Sequence, residues 1–240
     1  MYSQEQYNRT YTIPGQGRSL SFPAVMKNVY IWMALALAMT GLTAMAVATQ
    51  PQLVATIFGN KALFFGLILA ELGLVFYLSA RIMKMSFASA GLAFGIYAVL
   101  NGITLSGIFL AYTMESIAQT FFVTAGTFGA MGAVGLFIKK DLSAIGRILF
   151  MALIGLIIAT VVNMFFKNST IMMLCNYAGV LIFTGLTAYD TQRIKNMLQQ
   201  YGEEQSETTM KLALLGSLML YLDFINLFLY LLRFFGSSRD

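Results

Sequence analysis

Seven runs of about 20 mostly apolar residues fix what this chain can become; they lie at 29–49, 62–82, 87–112, 117–138, 148–166, 171–189 and 212–235. Each is long enough to cross a hydrocarbon core of about 30 Å as an α-helix. Only 10% of the residues are charged and 58% are hydrophobic, where a soluble domain carries about 25% charged residues. There is too little polar surface to cover so much apolar surface, so lipid must solvate most of it. The expected fold is an all-α membrane protein, a bundle of seven transmembrane helices.

The connections are short, which makes sequence neighbours antiparallel neighbours in space. Only 191–211 is both long and strongly polar. One bundle over 29–236 is expected, preceded by a polar tail at 1–28 and followed by a short tail at 237–240, with no second domain and no repeat. The first tail lacks an apolar core followed by a small-residue cleavage site, so the first run is expected to stay as an anchor. Pro14, Gly15 and Gly17 in that polar context predict a mobile segment.

Lysine and arginine orient the bundle. Arg9, Arg18, Lys27, Arg81, Lys84, Lys139, Lys140, Arg147, Arg193, Lys195 and Lys211 fall on one side, eleven of the 15 in the chain. Lys61, Lys167, Arg233 and Arg239 fall on the other if the seventh run spans the membrane rather than dipping in and returning. The majority side, with the N-terminus, is expected to be cytoplasmic. Loop charge of this kind accounts for the net charge of +5 without nucleic acid.

The chain has one cysteine, Cys175, and no histidine. An internal disulfide, a multi-thiolate metal site and most zinc, haem, Ser-His or Cys-His chemistry are excluded by that alone. No cofactor and no enzymatic activity are expected. An intramembrane aspartyl protease fits poorly, because the second aspartate sits in LYLDF rather than a GxGD-type setting. A proton-coupled transporter of an organic solute remains a rival.

Four charges do not suit lipid. Glu71 lies within the second run, Arg81 near its end, Asp190 at the end of the sixth, and Asp223 inside the seventh. An ionised carboxylate at bilayer depth costs several kcal/mol unless it faces the bundle interior, finds a partner or holds a proton. The midpoint between Asp190 and Asp223 falls in EEQSE, so if the sixth helix continues past the membrane and folds back near Ser206, an antiparallel hairpin sets both at one level. Whether they face each other depends on helix rotation, which sequence does not fix. Two adjoining carboxyls would share a proton, titrate as a pair, and sense pH or exchange the proton for a cation. Oxygen ligands without nitrogen or sulfur suit Ca²⁺ or Mg²⁺, with Asn101, Asn163, Asn176 and Asn226 as further in-membrane oxygens. Arg81 can pair with one aspartate and lock the bundle, or simply snorkel to the boundary.

Other features read as structural. Gly126, Gly129, Gly132 and Gly135 recur every three residues, and Gly91 and Gly95 form a small-xxx-small pair, the pattern of close helix packing. Trp32, Tyr112 and Tyr201 read as interface anchors or packing. The 16 methionines read as gap-filling or lipid-facing residues, and Glu203, Glu204 and Glu207 as a solvated loop.

At several of these residues the chain resembles the transmembrane Bax inhibitor motif family, whose namesake is Bax inhibitor-1. The segments are LMLYLDFINLFLYLLRFFG (218–236), AYDTQRIK (188–195), LGLVFYLSARI after Glu71, NGITLSGIF (101–109) and KKDLS (139–143). The compact chain looks like a bacterial member. The resemblance implies a seven-helix bundle with the last helix surrounded by the other six, and a pH-sensitive Ca²⁺ leak in which Ca²⁺ is the transported ion. It implies roles for Asp190 and Asp223 as a paired pH sensor, for Glu71 as the second-helix glutamate, and for Arg81 as the latch to the pair. Calcium at Asp190, Asp223 and Glu71 would be its metal. Some bacterial relatives are linked to membrane quality-control proteases, so the alternative expectation is a non-conducting integral regulator that binds such a partner. Both readings place the chain in a bacterial inner (plasma) membrane.

Overall fold

The structure, a computed structural model, describes residues 22–200 and 206–237. The expected N-terminal tail up to 21, Glu203, Glu204 and residues 238–240 lie outside the described residues. Helices α1 (Phe22–Ala48), α2 (Pro51–Gly59), α3 (Lys61–Arg81), α4 (Phe87–Leu105), α5 (Ile108–Ala111), α6 (Met114–Phe137), α7 (Ser143–Phe166), α8 (Ser169–Gln200) and α9 (Glu207–Phe235) follow in order, with a 3₁₀ turn at Ile82–Lys84 and no strand among the described residues. Seven of the helical stretches are long and apolar enough to cross a membrane.

Short polar side chains set the starts. Asn60, Ser86, Thr113 and Ser206 each accept a hydrogen bond from the backbone N–H three residues on, at the heads of α3, α4, α6 and α9. The Ser206 cap starts α9 at the position from which the polar segment predicts the chain to return. The seventh run is one continuous helix of 29 residues, long and apolar enough to cross a membrane. α1 begins earlier than the expected 29, with Pro23 in its first turn, where a missing N–H costs nothing.

Three departures have local causes. The first connection contains α2, started by Pro51 at its first position. The third run breaks after Leu105 into the short α5; Gly107 sits there against Phe58 of α2, whose ring would be 3.1 Å from an added Cβ. α8 continues past the end of the apolar run at 189, toward the expected turn, because its polar stretch is packed rather than solvated. Thr191, Gln192, Ile194 and Leu198 are all buried. Gln192 donates to the Lys140 carbonyl (2.9 Å) and accepts from the Leu142 N–H (2.8 Å), and Lys195 donates to the Leu136 carbonyl (2.7 Å). These bonds clasp the α6–α7 connection.

Burial is uneven. In the most apolar stretch of α9, 72% of residues are buried, against 39% for α8 and 6% for α3. α9 packs on α1, α4, α6 and α8, while α3 packs chiefly on α4 and α7 on α8. Close approach comes from glycine: a Cβ on Gly135 of α6 would collide with the Ala188 carbonyl of α8, and one on Gly146 of α7 with the Tyr189 ring. Gly126 and Gly129 face open space instead, so only half of the glycine stripe is a packing face.

Candidate functional site

The antiparallel hairpin of α8 and α9 brings Asp190 and Asp223 together, side chain to side chain within hydrogen-bonding reach. Asp223 is 4% exposed, and its Oδ2 is buried with no hydrogen-bond partner. Asp190 is half-buried. Both line a cavity of about 510 Å³ between α7, α8, α9 and the end of α3. Along α8 its wall is made by positions 183, 186, 190, 193 and 197, a single face of a helix.

Arg193, one turn beyond Asp190, lines the same cavity and acts on Asp190 electrostatically. It is not in salt-bridge range: the one ion pair among the described residues is Lys211 with Glu207, at 3.2 Å. Glu207 also accepts from the Phe87 N–H (3.1 Å), at the head of α4. Glu207, expected as part of a solvated loop, thus ties two connections together.

Glu71 is elsewhere. Its Oε1 accepts from Thr104 Oγ1 (2.7 Å) and its Oε2 from Asn101 Nδ2 (3.3 Å), both on α4. Asn101 Oδ1 in turn accepts from the Tyr221 hydroxyl (3.1 Å), which meets Thr40 Oγ1 at 2.7 Å; Thr40 also donates to the Ala98 carbonyl (2.9 Å). This polar chain runs through α3, α4, α9 and α1. Tyr221 and Asp223, two residues apart, point to opposite sides of α9, since each residue turns a helix by about 100°.

Two arrangements named from the sequence are not formed in this geometry. The three acids do not assemble as a calcium site, and among the described residues no three His, Cys, Asp or Glu side chains are grouped to hold a metal ion. The reason is the rotation of α9, which gives Asp223 to α8 and Tyr221 to the Glu71 side. Arg81 does not latch the pair: it is exposed at the end of α3, and Ser79 reaches the cavity instead. Of the asparagines, Asn226 lines the cavity, while Asn163 accepts from the Asn168 N–H in the α7–α8 turn (3.0 Å). Sequence reasoning missed Arg193, counted only as loop charge, although its i+3 spacing from Asp190 was a usable signal. It also missed Thr40, Thr104 and Tyr221, which carry no such signal.

A seven-helix integral membrane protein with a carboxyl pair, one member of it buried, between its last two helices is the class that this fold and site define. The family described as "Inhibitor of apoptosis-promoting Bax1" matches residues 23–240, and the chain belongs to that family. It is 48% identical over 214 residues to "Inner membrane protein YbhL" of Escherichia coli K12, covering 89% of this chain and 92% of that protein. It is 43% identical to an uncharacterized protein of Borreliella burgdorferi (90% and 92% covered) and 39% identical to "Uncharacterized protein RP147" of Rickettsia prowazekii (98% and 99% covered).

Proposed function

We propose that the protein is a pH-sensitive calcium leak channel of the inner membrane, gated by Asp190 and Asp223, with its N-terminus in the cytoplasm. The observation that carries this reading is the facing of two carboxyl groups on a cavity wall, one of them with a buried oxygen left unpartnered. Two adjoining carboxyls in a poorly solvated place hold a shared proton or a cation between them, and protons and cations therefore compete for the same position. Oxygen donors alone select a hard cation. The two aspartates, with Asn226 and Ser79 on the same wall, are the donors that a passing ion would meet. Glu71 is a third carboxyl among the spans, held by its α4 donors. The distribution of lysine and arginine supports the orientation, and the similarity to the inner membrane protein YbhL supports the membrane.

The test is Ca²⁺ entry into liposomes carrying the purified protein, stepped from about pH 8 to about pH 6, a range chosen to cross the titration of a coupled pair. Flux should change with pH, and Asp190→Asn and Asp223→Asn should each remove that change. Normal pH dependence in both variants would sink the gating mechanism. Folded protein that passes no ion at any pH would leave the non-conducting role, as a regulator bound to a membrane protease.

A further inference from the structure

The cavity is larger and more apolar than a cation needs. A lone Ca²⁺ asks for six to eight oxygens and little else. Here the cleft measures about 510 Å³, and nine of the fifteen residues around it are apolar, Phe150, Leu153 and Ile157 of α7 among them. That volume lies within the range of about 300–1,000 Å³ typical of sites for small organic molecules, which are mostly apolar with a few convergent polar groups.

The polar groups specify the ligand's charge. Two carboxyls and one guanidinium face the cavity, so the ionised site is short of one positive charge. Asp223 Oδ2 lacks a donor, and no ion pair closes the site. A primary ammonium brings a single positive charge and three N–H donors, which can serve both aspartates at once. The cavity also has a side entrance. Phe150 and Ile157 are 56% and 54% exposed on the outer face of α7, so an amphiphile dissolved in the bilayer meets the apolar wall first.

We propose that this cleft is a binding site for amphiphilic primary amines, the ammonium lodged between Asp190 and Asp223 and the apolar body along Phe150, Leu153 and Ile157. It uses the aspartates of the channel reading but does not require the protein to conduct. The amine is either a soluble molecule with an apolar body or a lipid with an ethanolamine headgroup; both present the same ammonium.

The experiment uses the full chain in phosphatidylcholine nanodiscs, with dansylcadaverine as fluorescent probe, empty nanodiscs as blank, and dansylamide as the analogue lacking the ammonium. Saturable binding of dansylcadaverine is expected, weakened by roughly tenfold or more in Asp223→Asn, where a charge-assisted hydrogen bond is lost. Leu153→Trp, which fills the apolar part without touching either carboxyl, should weaken it likewise. Adding phosphatidylethanolamine to the nanodisc displaces the probe if the natural ligand is a lipid and leaves it bound if the ligand is soluble. Dansylcadaverine binding no better than dansylamide, or binding indifferent to both substitutions, overturns the proposal. Calcium flux on the same preparation separates the two readings: flux without amine binding removes only this one, and amine binding without flux removes only the channel.

Discussion

The two sides of α9 handle buried polarity in opposite ways. Toward α3 and α4, Glu71 receives two hydrogen bonds, Asn101 and Tyr221 link to one another, and Thr40 closes the chain on a backbone carbonyl. Toward α8, Asp223 faces another acceptor and keeps an oxygen without any partner. Both sides hold a carboxyl group within a membrane bundle, yet one is satisfied and the other is not. A satisfied network is structural glue; an unsatisfied one is a place where something else, a proton, an ion or a ligand, belongs. Depth in the membrane alone does not separate these roles, but the count of donors does.

That contrast breaks first at Asp223. Asp223→Leu removes the unpartnered buried oxygen and should stabilise the folded protein by about 1–3 kcal/mol, the desolvation penalty of such a group. Unfolding midpoints in detergent at neutral pH would show it; a loss of stability would mean that the pair is already satisfied. Glu71→Leu should do the reverse, stranding two donors at a cost of about 1–2 kcal/mol in the same assay. Equal signs for the two substitutions would erase the comparison. Tyr221→Phe is smaller, about 0.6 kcal/mol for an interhelical hydrogen bond in lipid, and it should leave the pH dependence of flux unchanged because the hydroxyl is on the far side of α9.

The smallest effect belongs to a carboxylate in water. Asp141 accepts from the side chain (2.7 Å) and the backbone N–H (2.9 Å) of Ser143 at the head of α7, and these bonds hold its carboxyl below the usual aspartate range. A depressed value means that the stabilisation is complete above the unfolded value of about 3.9 and is lost as pH falls through the folded one. Asp141→Ala should therefore lower the unfolding midpoint slightly at neutral pH, with the difference from the parent vanishing in acid. A difference that persists there would assign the effect to something other than charge.

The spans were legible because lipid imposes one length on every crossing, and the turn at Ser206 was legible because a polar run separates two apolar ones. The facing of Asp190 and Asp223 was not, since rotation about a helix axis is set by packing: Gly135 and Gly146 admit Ala188 and Tyr189, and that fixes how α8 is turned. The same cause hid the separation of Glu71 from the pair. The last turns of α8 were hidden because Thr191 and Gln192 are polar in sequence but are buried against the α6–α7 connection. Arg193 shows the converse error, a charge that satisfies a counting rule for orientation while also lining a cavity.

The deep burial of α9 bears on how the protein is made. A chain is synthesised and inserted in order, so the six spans before α9 are complete while the helix with the largest buried share is still to come. Until it arrives, the faces of α1, α4, α6 and α8 that later cover it have no occupant. Val29, which accepts from Ser217 (2.9 Å) in the finished bundle, waits for a partner 188 residues downstream. A nascent chain stopped after α8 and before α9 therefore offers an open apolar groove to whatever surveys unfinished membrane proteins.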